Sequence, residues 1–243
     1  MGQKVSPTCL RLSLQNAWVS RWFAPSKRQF VVYLNEDRQI REFLKEQLAS
    51  AAVARIVIER SPERIRILIH TARPGVLIGR RGENIQRLQE TVQRIVGAQK
   101  QLKIDYVEIS NPYIEAQLVA ESIAFQLEKR VAYRRAMKRA IQQGTEAGAK
   151  GIKITCNGRL AGSEMKRTET YRAGKIPLGT LRANIDYGQA TAHTTAGCIG
   201  TKTWVYKGDV VRLKPAAEPA APQPKPAQAG PVESEAAAAP VSL

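Results

Sequence analysis

Along the middle of the chain the spacing of apolar residues keeps changing, and each change marks an element. In 36–50, Ile40, Phe43, Leu44 and Leu48 recur at helical intervals behind Asn35, a residue suited to capping, which predicts a helix. Arg55-Ile56-Val57-Ile58-Glu59 and Arg64-Ile65-Arg66-Ile67-Leu68-Ile69-His70 are β-branched and partly alternating around Ser61-Pro62, as in a hairpin. Pro74 opens a short apolar turn that runs into Gly79-Arg80-Arg81-Gly82. Next, Glu83–Val96 places Ile85, Leu88, Val92 and Ile95 on one face until Gly97 stops it, and Leu102–Ile109 alternates as a strand. The predicted order over residues 36–110 is αββααβ.

Asn111-Pro112 then reads as a helix start, with Asn as cap and Pro at the first helical position. Nothing interrupts the pattern until Gly144, so about thirty residues of helix are expected, in one piece or two. Four strand-like runs follow at 151–157, 164–171, 182–192 and 201–207, joined by Gly- and Pro-containing turns. Residues 111–212 therefore read as a second α+β domain, a long helix with a four-stranded, mainly antiparallel sheet. Residues 1–35, with Trp18, Trp22, Phe23, Phe30 and Tyr33 among basic residues, read as an extension packed on a domain or on RNA. Residues 213–243 are Ala- and Pro-rich with no periodic apolar face, which predicts a disordered tail.

Charge narrows the function. The chain carries 38 Lys and Arg against 21 Asp and Glu, a formal net charge of +17. From Pro215 onward there are three Glu and only Lys225 to offset them, so the whole surplus sits in the part expected to fold. A globular body so imbalanced repels itself unless it neutralises a polyanion. Membrane is the lesser candidate, because no apolar run approaches the roughly 18 residues of a spanning helix. Cys9, Cys156 and Cys198 are far apart and read as small buried hydrophobes. With only His70 and His193 beside them, neither a metal nor another cofactor is expected.

The sharpest motif is Gly79-Arg80-Arg81-Gly82. Two glycines allow φ > 0 and close approach of a sugar-phosphate chain, while the arginines and the following helix N-terminus supply positive charge. Two other Gly-x-x-Gly segments, at 148–151 and 197–200, lack the preceding Val-x-Ile and the following amphipathic helix. A second candidate is the stripe Arg130, Arg134, Lys138, spaced i, i+4, i+8 on the long helix with Arg135 beside it and Phe125, Ala132, Ala136 and Ala140 on the core side. Such like charges repel unless an anion neutralises them. Further basic residues at Lys4, Lys150, Lys153, Arg159, Lys166, Arg167 and Arg172 are candidate RNA contacts, interleaved with Tyr171 and Tyr187. No phosphate loop of the Gly-x-x-x-x-Gly-Lys-Ser/Thr kind, nucleophile elbow or clustered carboxylate set is visible, so an enzyme is not expected.

The order αββααβ with Gly-x-x-Gly between its paired helices resembles a type II KH domain. Several further segments extend the likeness: Met1-Gly2-Gln3-Lys4-Val5, Arg55-Ile56-Val57-Ile58-Glu59-Arg60, His70-Thr71-Ala72-Arg73-Pro74-Gly75, Arg134-Arg135-Ala136-Met137-Lys138-Arg139-Ala140, Gly148-Ala149-Lys150-Gly151-Ile152-Lys153 and Asp186-Tyr187. With them, residues 1–212 resemble the family of bacterial-type third proteins of the small ribosomal subunit. That resemblance implies a structural protein of the subunit head that binds ribosomal RNA and neighbouring head proteins and lines the channel through which messenger RNA enters. It gives Arg134, Arg135 and Lys138 the task of facing incoming messenger, and implies a cytoplasmic place on the ribosome or, alternatively, one in a plastid stroma. The competing function is a free KH-domain regulator not permanently held on the ribosome. The tail departs from the many relatives whose C-terminus is basic.

Overall fold

The computed structural model describes residues 4–12, 14–97 and 100–210. Met1 to Gln3 of the family-like N-terminus and the tail expected to be disordered lie outside the described residues. The described chain forms α1 (Pro7–Leu10), β1 (Ser20–Arg21), α2 (Lys27–Gln47), β2 (Val53–Arg60), β3 (Arg64–Thr71), α3 (Pro74–Ile78), α4 (Glu83–Val96) and β4 (Gln101–Glu108). It continues with α5 (Ala116–Glu128), α6 (Tyr133–Glu146), β5 (Gly151–Gly158), β6 (Arg167–Gly174), β7 (Ala183–Thr194) and β8 (Gly197–Asp209).

The segment from α2 to β4 has the expected αββααβ order of a type II KH domain. Its sheet runs β1-β2-β3-β4, with β2 antiparallel to β3 and β4 parallel to β3. Alternation does the sorting: Ile65, Ile67 and Ile69 are fully buried while Arg64 and Arg66, which alternate with them, are exposed. Each such isoleucine contributes about 1.5–3 kcal/mol by leaving water. Ile40 and Leu44 of α2 and Leu88 and Val92 of α4 close over that face.

The sequence pattern places the start of α2 too late. The helix begins at Lys27, not beyond Asn35, and Ser26 caps it by accepting the Gln29 amide at 3.3 Å. Phe30 to Leu34 lack helical periodicity, so they hid the extra turns, although Ser26-x-x-Gln29 is itself a capping-box signature. The early start buries Asp37 completely, where it accepts hydrogen bonds from Ser20 Oγ at 3.0 Å, Trp22 Nε1 at 2.8 Å and Arg60 Nε at 2.8 Å.

The N-terminal segment joins the two halves of the described chain. β1 pairs parallel with β2. Arg11, 1% exposed, donates to the backbone carbonyls of Pro7, Leu178, Thr180 and Ala183, the last at 2.7 Å. Carbonyl dipoles, not a carboxylate, satisfy this buried cation.

The second sheet has the order β6-β5-β8-β7 and is antiparallel throughout, with α5 and α6 on one face. The long helix is two helices. Asn111-Pro112 opens only a 3₁₀ turn over Pro112–Ile114, and α5 starts at Ala116, whose N–H is accepted by Asp186 Oδ2 of β7 at 2.9 Å. That cap comes from 70 residues away, which local spacing cannot reveal. Burial pushes the Asp186 carboxyl up, while Lys207, 2.6 Å from Glu115, holds Glu115 low against its own burial.

α5 ends in a Schellman motif, with Arg130 N–H on Leu127 O and Val131 N–H on Gln126 O. Arg130 takes the left-handed position at φ 62°, where glycine usually stands, so no sequence signal marked the break. As a result Phe125 and Ala132, expected in the core, are exposed, whereas Ala136 and Ala140 are buried beside Tyr133 and Met137. Of the three cysteines expected in the core only Cys156 is buried; Cys9 and Cys198 are exposed because they lie in the N-terminal segment and at the tip of the β7-β8 hairpin.

Candidate nucleic-acid interface

The Gly-x-x-Gly loop sits where α3 hands over to α4. Pro74 starts α3, Leu77 anchors it fully buried in the KH core, and Val76 is left exposed. Gly79 has φ 71° and ψ −174°, and Gly82 has φ 80° and ψ 8°, both conformations that disfavour a side chain. At Gly79 a Cβ would lie 2.6 Å from Asn84 Cγ, because Asn84 folds back to donate to Val76 O at 3.2 Å. At Gly82 no atom lies within 4 Å of a Cβ position, so that side of the loop is open to a ligand.

Gly82 is also the N-cap of α4, and being glycine it offers no side chain to the amides of the first turn. A 14-residue helix therefore presents its positive end beside the loop. Gly75, Val76, Gly79, Arg80, Glu83 and Asn84 line a shallow groove there of about 540 Å³. Arg80 is exposed on its rim, and Glu83 is the one acid of the first turn. The backbone of Arg81 shares the 3₁₀ turn Arg80–Gly82, but its side chain lies outside the described residues.

The second candidate has a different shape from the stripe drawn on a continuous helix. Arg134, Arg135, Lys138 and Arg139 of α6 are all exposed and form two i, i+4 columns of like charge. Arg130 belongs to the turn before α6 and leaves the stripe, for the backbone reason given above. Among the described residues, none of these five cations has a carboxylate at ion-pair distance. Arg134 instead donates to Tyr133 Oη at 3.1 Å and stacks on that ring, which steadies its guanidinium; the phenol oxygen raises its pKa further above the ordinary value.

The remaining candidates do not form one site. Lys4, Lys150 and Lys166 are exposed in separate segments. Arg159 braces two loops, donating to Ser163 O at 2.9 Å and Ala196 O at 3.0 Å. Arg167 is paired with Glu169 on β6. Arg172 points from β6 to the face of the second sheet opposite the helices, where it joins Lys153, Lys202, Tyr187 and Trp204. Trp204 and Lys202 escaped the sequence reading. Their alternation around the buried Thr203 was the available signal, but only strand register shows that they share a face with Lys153 and Arg172. Among the described residues no group of three or more His, Cys, Asp or Glu is placed to hold a metal ion.

Comparison with known proteins bears on both halves. Residues 39–113 match the model of the KH domain family, and residues 123–205 match that of the ribosomal protein S3 C-terminal domain. Over 218 residues the chain is 52% identical to the small ribosomal subunit protein uS3 of Rhodospirillum centenum, covering 90% of this chain and 95% of that protein. It is 53% identical over 217 residues to the protein of that name from Caldicellulosiruptor saccharolyticus, covering 89% and 97%. With the Desulforamulus reducens protein it shares 51% over 223 residues, covering 92% and 99%.

Proposed function

The chain belongs to the uS3 family of small ribosomal subunit proteins, and on that premise we propose that it is a structural, non-catalytic component of the small subunit that binds ribosomal RNA and guides messenger RNA. In this reading the KH loop grips a backbone through Gly79, Gly82, the α4 amides, Arg80 and Arg81. Such contacts position a strand without reading its bases. Arg134, Arg135 and Lys138 form an electrostatic guide on the other half of the molecule, facing messenger as it is drawn into the particle. Neighbouring ribosomal proteins and ribosomal RNA hold the rest.

The observation that carries the guide is the uncompensated face of α6. Its inner side, Tyr133, Ala136, Met137 and Ala140, is core, and its outer side holds four cations and no acid over 134–139. Each like-charged i, i+4 pair costs a few tenths of a kcal/mol in the free protein. A polyanion relieves that repulsion, with each neutralised phosphate releasing counterions.

The test is Arg134→Ala with Arg135→Ala and Lys138→Ala in ribosomes. All three side chains are exposed and only Arg134 touches the core, through the Tyr133 hydroxyl and ring, so the variant folds and assembles, while translation through structured messages slows and unstructured messages are read normally. Equal rates on both kinds of message would remove the guide assignment.

A further inference from the structure

One face of the second sheet carries neither α5 nor α6. Alternation along its strands sends Ile152, Ile154, Cys156, Thr201, Thr203 and Val205 toward α5 and α6. The intervening residues face the other way and line up across all four strands. One row reads Arg172, Lys153, Trp204, Tyr187, and the next reads Thr170, Thr155, Lys202, Gln189.

We propose that this face is a stacking platform for single-stranded RNA, with Trp204 and Tyr187 taking bases and Lys153, Arg172 and Lys202 taking the phosphates that run beside them. The inference rests on the reading of this chain as an RNA-binding ribosomal protein and adds a site to it.

Three features favour this occupant. Trp204 and Tyr187 lie side by side with ring centroids 5.4 Å apart at 53°, two adjoining aromatic surfaces on adjacent strands. Four-stranded sheets that carry aromatics on a helix-free face hold unstacked bases in this manner. Charge points the same way, since the two rows hold three cations and no carboxylate. Of the acids of these strands, Glu169 and Asp186 fall at the alternate positions toward the helices, and Asp209 ends β8 beyond the two rows, where it accepts from Tyr206 Oη at 2.7 Å. An acidic RNA strand fits this surface, whereas an ordinary protein surface of mixed charge meets an excess of unpaired cations.

The third feature is that the platform is partly organised. The Lys153 ammonium stands 4.8 Å from the Trp204 ring centroid, and the Thr155 and Thr170 hydroxyls are 3.0 Å apart. Lys153 is thus held over the Trp204 face, and on binding it swings from that face to the phosphate of the nucleotide whose base takes its place. Tyr187 also borders a cleft of about 780 Å³ lined by Trp18 and Trp22, so the aromatic row has a continuation for a strand longer than two nucleotides.

The experiment measures affinity of the full chain for a fluorescent twelve-nucleotide oligouridylate and for an RNA duplex of the same length, across a salt series. Trp204→Ala is expected to weaken single-strand binding by about 5- to 150-fold, the range for losing one stacked base, and Trp204→Phe to keep most of it. Lys153→Ala with Arg172→Ala should flatten the salt slope by about 1.4, the single-strand value for two phosphates. These two changes touch no core residue and remain decisive if Trp204→Ala fails to fold. Ultraviolet crosslinks should map to the peptides holding Tyr187 and Trp204.

If the parent chain binds neither RNA, the reading of the protein as RNA-binding fails and this inference falls with it. If the parent binds but the sheet-face variants bind equally well, with crosslinks confined to 79–82 and 134–139, the platform alone is wrong. Crosslinking of Lys153 and Lys202 to a protein neighbour in assembled subunits, in place of RNA, would also overturn it.

Discussion

Gly82→Asp separates the charge of the KH loop from its shape. Gly82 lies at φ 80° and ψ 8°, the left-handed region, and no atom stands within 4 Å of where a Cβ would go. The fold therefore loses only the backbone cost, about 1–2 kcal/mol for a residue with a side chain and toward the lower end for Asp, which tolerates this region. Against a total of about 5–15 kcal/mol the domain stays folded, with Tm lower by a few degrees. The same substitution at Gly79 would be less informative, because its Cβ would collide with Asn84 at 2.6 Å and disturb the loop.

The charge matters more than the strain. A carboxylate roughly 6 Å from a phosphate is repelled by about 0.7 kcal/mol at the dielectric constant of water and by about 3 kcal/mol at an effective value near 20. Affinity for RNA should thus fall about 3- to 100-fold, with the loss shrinking as salt screens it. Gly82→Asn is the control, isosteric and equally strained but neutral, so the Asp-to-Asn difference isolates the charge. Anisotropy titrations with single-stranded RNA from low to high salt, alongside thermal melts, measure both quantities. If the Asp and Asn variants bind alike at every salt concentration, no phosphate approaches this loop and the assignment is wrong.

Three further outcomes follow from the packing. Asp37→Ala leaves Arg60, whose side chain is 2% exposed, with Glu36 as its one remaining carboxylate beside the Tyr33 carbonyl and ring, so urea unfolding should show a loss of about 3–5 kcal/mol; adding Arg60→Leu should restore part of it, and a single-variant loss below about 1 kcal/mol would contradict the network. Arg130→Gly should raise stability by about 0.5–1 kcal/mol by removing the left-handed strain at the end of α5, and a destabilised variant would show that the Arg130 side chain holds the turn. Desolvation, then the nearby Arg55 charge, lowers the pKa of His70 below its ordinary 6.5, with Glu115 opposing. The folded state thus favours the neutral ring: its contribution is complete above the unfolded pKa and disappears as pH falls through the lower folded value. His70→Gln should remove that part of the stability change below pH 6.5, and an unchanged profile would refute it.

Much of the architecture is legible in one sequence because it is governed by local period. Alternation in β3 and the 3.6-residue face of α4 each name the side that leaves water, and they did so correctly at Ile65, Ile67, Ile69, Leu88 and Val92. The Gly79–Gly82 loop is legible for a similar reason: glycine, flanking apolar residues and an amphipathic helix are consecutive. Errors arose where the deciding partner is remote or the local residue is atypical. α2 starts at Lys27 behind the Ser26 cap and holds Asp37 against Arg60, α5 takes its cap from Asp186, and Arg130 ends α5 in a position that sequence statistics reserve for glycine.

By itself, then, the sequence determined the kind of partner, a polyanion, and the domain type, since charge balance and hydrophobic period are sums over the chain that need no coordinates. Only the tertiary structure decided which cations lie together. It removed Arg130 from the α6 face, turned Arg159 into a loop brace, paired Arg167 with Glu169, and gathered Arg172, Lys153, Trp204 and Tyr187 from four strands into one row. The physical reason is that a one-residue change of register or a single left-handed residue reverses where a side chain points, and both are set by contacts between segments far apart in the chain.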